Sequence, residues 1–219
     1  MAKARQSASK ERTAASKERT ATPKERTAAP RESAAAPRAV RLDAAAWVAA
    51  ALDVLADGGI DAVSVEPLAK TLGVTKGSFY WHFADRRALL DAMLKAWAEG
   101  RVVSIRQQAA ERGAPAVVLR ELADLFTRKA NIRGLTIELA IRSFARTDEP
   151  AAEAVRAVDR ARLQSAVQLF VGLGWPRQKA QSRGILFYSY LFGQSLLDPQ
   201  VVSPAEREKA IEAFLNALP

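Results

Sequence analysis

Residues 75–86 concentrate hydroxyls, an ammonium, an imidazole, a guanidinium and four aromatic rings within twelve positions. The chemistry such groups perform together is donation to an anionic polymer. Thr75 and Ser78 can hydrogen-bond phosphate oxygens, Lys76 can do the same or meet guanine acceptors, and Gly77 lets the backbone approach closely. Phe79 and Phe83 are four apart, so on a helix they share a face; if they point into a core, Tyr80 and His82 lie on the phosphate-facing side. Arg86, just beyond, is placed for a further phosphate contact. Trp81 and His82 also have a plainer alternative as core packing. Catalysis finds little support: the chain has one histidine and no cysteine, and it lacks a G-x-S-x-G turn, a P-loop and a dinucleotide glycine run. No enzyme activity, metal or cofactor is expected.

A donor face of this kind must be mounted on a helix and held by neighbours. Asp43 can cap a first helix whose apolar residues Trp47, Ala50, Ala51, Val54 and Leu55 recur at three and four, with Gly58-Gly59 as its stop. Ser64 opens a second, short helix that tolerates Pro67 in its first turn and buries Leu68, Ala69 and Leu72. Gly73 supplies the positive φ of a tight turn, Val74 plugs the small core beneath it, and Thr75 caps a third helix reaching Phe83. Helix, glycine turn and helix form a helix-turn-helix, whose second helix enters the major groove with its N-terminal side chains toward the bases.

Across roughly residues 40–100 this order resembles the TetR family of bacterial repressors. The resemblance is carried by Ala50, Gly59, Val65, Leu68, Ala69, Leu72, Gly73 and Val74, and then by Ser78, Phe79, Tyr80, His82, Phe83, Leu89 and Leu90. It implies that Ser64, Lys76, Ser78, Tyr80, Trp81, His82 and Arg86 contact DNA. It also implies a homodimer formed by the last two long helices, here about 176–198 and 203–217, packed as a four-helix bundle, and a small-molecule effector held in the second domain. Glu66 departs from the pattern, being acidic where some members carry a basic residue, so the operator sequence does not transfer.

Beyond Gly100 apolar helical segments run from about Val117 to Phe126, Leu135 to Phe144, Val155 to Val171, Gln178 to Leu197 and Glu206 to Leu218. Gly113-Ala114-Pro115, Asn131 to Gly134, Asp148-Glu149-Pro150, Gly172 to Pro176 and Asp198-Pro199 separate them. Gly184 to Leu197 is apolar almost all round, so it is buried on more than one side, either within the chain or against a second subunit. A pocket between these helices has Trp97, Phe126, Glu138, Arg142, Phe144, Tyr188 and Gln194 as candidate lining residues. Glu138 and Arg142, four apart, read as a surface or inter-helix pair.

The 219 residues are 49% hydrophobic, enough for a core of ordinary size, and the formal net charge is +9. Most of that charge sits in residues 1–41, where SKERTAA, SKERTAT, PKERTAA and PRESAAA follow one another at a spacing of about seven. The spacing does not make a coiled coil, because the repeats offer only Ala, Thr, Pro and Ser as apolar or small positions. Eleven Lys or Arg against four Glu give the segment a net +7, and its low apolar content predicts a disordered arm. Such an arm is either a solvated extension or a gatherer of phosphate contacts through counterion release. The absence of cysteine fits a reducing interior, and no signal-type or membrane-spanning apolar run is found. The expected protein is therefore all-α and cytoplasmic: an arm over 1–41, a three-helix DNA-binding domain over 42–88, and a helical effector-binding and dimerisation domain over 89–219.

Overall fold

The computed structural model describes residues 42–110, 113–127, 132–198 and 200–216. The expected arm, with both readings of its role, lies outside the described residues. Among the described residues the secondary structure is helical throughout, in nine elements: α1 (Ala44–Ala62), α2 (Val65–Thr71), α3 (Lys76–Tyr80), α4 (Arg86–Ala110), α5 (Pro115–Thr127), α6 (Ile132–Phe144), α7 (Glu149–Gly172), α8 (Arg177–Leu196) and α9 (Pro204–Asn216). None of these helices is long and apolar enough to cross a membrane.

Local chemistry accounts for the helix ends. The Asp43 carboxylate accepts from the Ala46 amide at 2.9 Å and Asp148 accepts from Ala151 at 2.9 Å, so each satisfies one of the amides that an N-terminus leaves open. Asp85 does the same for α4 through Ala88 at 2.8 Å. The Gly58-Gly59 stop is a break rather than an end. Gly59 takes φ 73°, which interrupts the helix, and one further helical turn carries the chain to Ala62. Gly73, at φ 66°, makes the turn between α2 and α3. Helix α3 is shorter than its expected span to Phe83: regular helix stops at Tyr80, and a last turn brings the amides of His82 and Phe83 onto the Phe79 carbonyl at 2.9 and 3.0 Å.

Two apolar cores result. The first joins Trp47 and Leu55 of α1, Leu68 of α2, Phe79 of α3 and Leu89 to Trp97 of α4, and continues to Ile141 and Val158 of α6 and α7. Trp47 meets Phe79 edge to face at 5.3 Å, and Phe79 meets Phe83 at 5.4 Å, so the small domain is nailed by rings. The second core gathers Leu119, Phe170, Phe187, Leu191 and Ile211 from α5, α7, α8 and α9. Helix α7 runs through both, and the first core crosses the expected boundary after residue 88, because α4 packs on α1 with one end and on α7 along its length.

Candidate nucleic-acid interface and cavity

The donor face emerges from this packing. With Phe79 and Phe83 turned into the first core, Trp81 is left 82% exposed and Tyr80 61% exposed, and His82 beside them is exposed as well. The alternative that Trp81 and His82 pack in the core does not hold, since the sites they would fill are occupied by Trp47, Phe79 and Phe83. Thr75, Lys76 and Gly77 are exposed and Ser78 half-buried at the start of α3. Ser64 and Thr75 occupy the N-cap positions of α2 and α3 in extended backbone, yet neither hydroxyl makes the capping bond.

Two residues are placed otherwise than their sequence positions suggest. Arg86 is half-buried and donates from Nε to the Val63 carbonyl and from Nη2 to the Ile60 carbonyl, each at 2.6 Å. It ties α4 to the carbonyls at the end of α1, of which that of Ile60 also accepts from the Val63 amide, a bracing role that the residue's place after α3 does not announce. Lys76 pairs with Glu66, the residue that departs from the family pattern, and both side chains remain more than half exposed. A pair so open to water is held weakly and can be exchanged for a phosphate.

A cavity of about 420 Å³ lies between α6, α7 and α8. Its polar wall is Arg142, Asp159 and Arg162, with the Tyr188 and Ser189 hydroxyls on the α8 side; Leu139, Leu163 and Phe192 make the apolar wall, and Ile185 and Leu196 complete the lining. Of the residues expected to line a pocket, Arg142 and Tyr188 do so. Glu138 sits behind the wall, 1% exposed. Trp97 belongs to the first core and Phe144 packs against it, while Phe126 packs edge to face on Phe192 at 5.3 Å in the second. Gln194 is half-buried outside the lining, its backbone carbonyl accepting from Arg207. Trp97, Phe144 and Phe126 pack in the cores, as aromatic side chains at helical spacing do first.

The polar wall is an ion network. Arg162 grips Glu138 with both terminal nitrogens at 2.5 and 2.6 Å, Arg142 donates to Glu138 at 3.0 and 3.1 Å and to Asp159 at 2.5 and 3.0 Å, and Arg101 stands 3.8 Å from Glu138. The pair read from the sequence as Glu138–Arg142 is thus buried rather than superficial, and its tighter partner, Arg162, lies 24 residues away. Burial works to raise the Glu138 carboxyl, but the Arg162 hydrogen bonds and the charges of Arg162, Arg142 and Arg101 outweigh it and hold the group below its ordinary value. Burial pushes the hydroxyl of Tyr188, a lining residue, up to about 12. Arg162 and Asp159 are one helical turn apart on α7; that i, i+3 pair was the available sign of the network, visible only once α6 is known to lie against α7.

Residues 48–93 match the family model described as bacterial regulatory proteins, tetR family. The tetracycline repressor protein class A from transposon 1721 of Escherichia coli is 47% identical over 49 residues, covering 22% of this chain and 23% of that protein. The HTH-type transcriptional regulator AcrR of Shigella flexneri is 34% identical over 74 residues, 33% of this chain and 34% of that protein. The matched region thus spans about a quarter to a third of the length of these curated relatives. The structure of a transcriptional regulator from Rhodococcus sp. Rha1 shares the fold at TM-score 0.69 and 22% identity, covering 81% of this chain and 96% of that one.

Proposed function

We propose, from the match of residues 48–93 to the family model of bacterial regulatory proteins, tetR family, that the chain is a cytoplasmic transcriptional regulator. In this reading it binds operator DNA as a homodimer, represses transcription, and responds to a small molecule in the α6–α7–α8 cavity. The observation that carries the proposal is the separation of rings on α3: Phe79 is sealed in the core while Tyr80 and Trp81 stand in solvent beside Thr75, Lys76, Gly77 and Ser78. A folded domain has no packing reason to expose Trp81, whereas a groove-reading helix uses such groups on phosphates and base edges. Ser64 and His82 complete the contact set, and Arg86 acts behind it by fixing α1.

The dimer reading rests on α8 and α9. Ile185 is 48%, Leu186 59% and Leu196 71% exposed, and Val201 at the turn into α9 is 77% exposed. A second copy covering this apolar surface explains why Gly184 to Leu197 is so poor in charge, and a two-fold pair lets two short recognition helices read two half-sites together. Residues 42–88 serve as the DNA-binding domain and 89–219 as the effector and dimerisation domain. Effector binding shifts the spacing of the recognition helices, and by linkage DNA weakens effector binding by the same factor.

The test is a mobility-shift titration against DNA upstream of the protein's own gene, with the full chain and with residues 1–41 deleted, at two salt concentrations. A sequence-selective complex that survives the deletion is the expected result. Binding that disappears with the arm would overturn the assignment and leave only charge attraction.

A further inference from the structure

The cavity wall carries more positive than negative charge. Arg142 and Arg162 line it against Asp159; behind them Glu138 and, on α4 outside the lining, Arg101 extend the network, which as a whole keeps one guanidinium charge in excess. Glu138 is engaged on both oxygens by Arg162. Asp159 is the adjustable member: its side chain is 40% exposed, bonds Arg142 and stands 3.6 Å from Arg162. The guanidinia of Arg142 and Arg162 lie 4.7 and 5.2 Å from the centroid of the Phe192 ring, so that ring, which would otherwise suit a ligand cation, already serves cations of the protein.

Ligand charge can be decided from this balance. A cation would meet like charge at the wall. A neutral molecule would displace water from arginines and return nothing for the surplus charge, which is costly where water is partly excluded. An anion offsets the surplus and gains charge-assisted hydrogen bonds. Apart from Tyr188 and Ser189, leucine, isoleucine and phenylalanine side chains make up the rest of the lining, so the anionic group must be small and terminal and the remainder of the ligand mostly apolar.

We infer that the cavity binds an amphipathic monocarboxylate, its anionic end at Arg142, Arg162 and the Tyr188 hydroxyl, and its apolar body along Leu139, Leu163 and Phe192. The carboxylate competes with Asp159 for the two arginines. Only the consequence for transcription rests on the regulator reading above; the binding itself does not.

The experiment uses the full-length protein and three probes of matched chain length, octanoate, 1-octanol and octyltrimethylammonium, each titrated by calorimetry. Octanoate is expected to bind at least about tenfold more tightly than octanol, as charge-assisted bonds require, and the ammonium not to bind. Asp159→Asn, which removes the competing carboxylate, should tighten octanoate several-fold and leave octanol unchanged, while Arg142→Met should bring octanoate down to the octanol value. Leu139→Trp, which fills the cavity, should abolish octanoate binding. Octanoate binding that is absent, equal to that of octanol, indifferent to Asp159→Asn, or retained by a folded Leu139→Trp protein would overturn the inference. If Arg142→Met does not fold, the Asp159→Asn and Leu139→Trp results still decide. A mobility shift on the same preparations separates the two proposals: selective DNA binding without the octanoate pattern sinks only the ligand class, and the octanoate pattern without selective DNA binding sinks only the regulator reading.

Discussion

The α1–α3 end and the cavity end solve opposite problems with the same helical material. Around α1 to α3 the protein buries carbon, with Trp47, Phe79, Leu55 and Leu68 all at 0% exposure, and turns Thr75, Lys70, Lys76 and His82 outward. Around α6 to α8 it encloses charge, with Glu138 at 1% and Arg162 at 5%, and leaves aliphatic side chains in the open on α8. The surface proposed to meet DNA can take its stability from an ordinary core beneath it. A cavity that recognises a charged group has to build the charge into the fold, where each partner is needed to make the others tolerable.

The contrast can be broken at either end. Removing the ring at the centre of the first core should cost most: Phe79→Ala is expected to lower the unfolding free energy by about 3–5 kcal/mol, measured by denaturant titration, since large cavities in tight cores relax little. Glu138→Gln should cost about 3 kcal/mol by the same assay, because it leaves Arg101, Arg142 and Arg162 without their shared buried carboxylate. The sign of its pH dependence follows from the lowered carboxyl. The Glu138 contribution is complete above the ordinary value near 4.5 and is lost as the pH falls through the lower folded-state value. Wild type should therefore lose stability on acidification through that window and the variant should lose less.

Two further changes sharpen the comparison. Trp81→Ala should move stability by no more than about 0.5 kcal/mol, since the side chain packs on nothing, and yet weaken operator binding in a mobility shift; the same residue type at position 47 should do the reverse. Lys76→Ala should weaken binding to all sequences alike and lower the salt slope by about one; unchanged binding would remove Lys76 from the contact set. The smallest effect is spectroscopic. Absorbance titration of tyrosinate should show one tyrosine ionising near pH 12, a step that disappears in Tyr188→Phe.

The first end was largely legible in the residue string because its determinants are local. Asp43 with Ala46, Phe79 with Phe83, and Gly73 before Thr75 are relations within a turn or two, and periodicity reports such relations. Where a partner comes from afar the string misled. Arg86 reads as one more surface cation after a basic helix, but the carbonyls it braces are 23 and 26 residues back. Glu138 and Arg142 advertise an ordinary i, i+4 pair, and nothing in their spacing announces Arg162 or the burial that makes the pair costly. Gly58-Gly59 supplies the positive φ of a stop, yet the chain resumes a helical turn beyond it. Trp97 and Phe144 looked equally fit for pocket or core, and only the third dimension distinguishes them.

One element belongs to both ends. Arg133, in the first turn of α6, holds Asp53 of α1 at 3.0 Å and also binds Asp57, while the last turn of the same helix presents Arg142 to the cavity. At 1.5 Å per residue α6 is a rod of about 20 Å, and its two ends cannot be displaced independently without bending it. The cavity and the α1–α3 region proposed to read DNA are thus joined by a mechanical linkage with a ground-state setting: softening it in the middle, for instance with Thr136→Gly, should let each end keep its own affinity while the correlation between them fades.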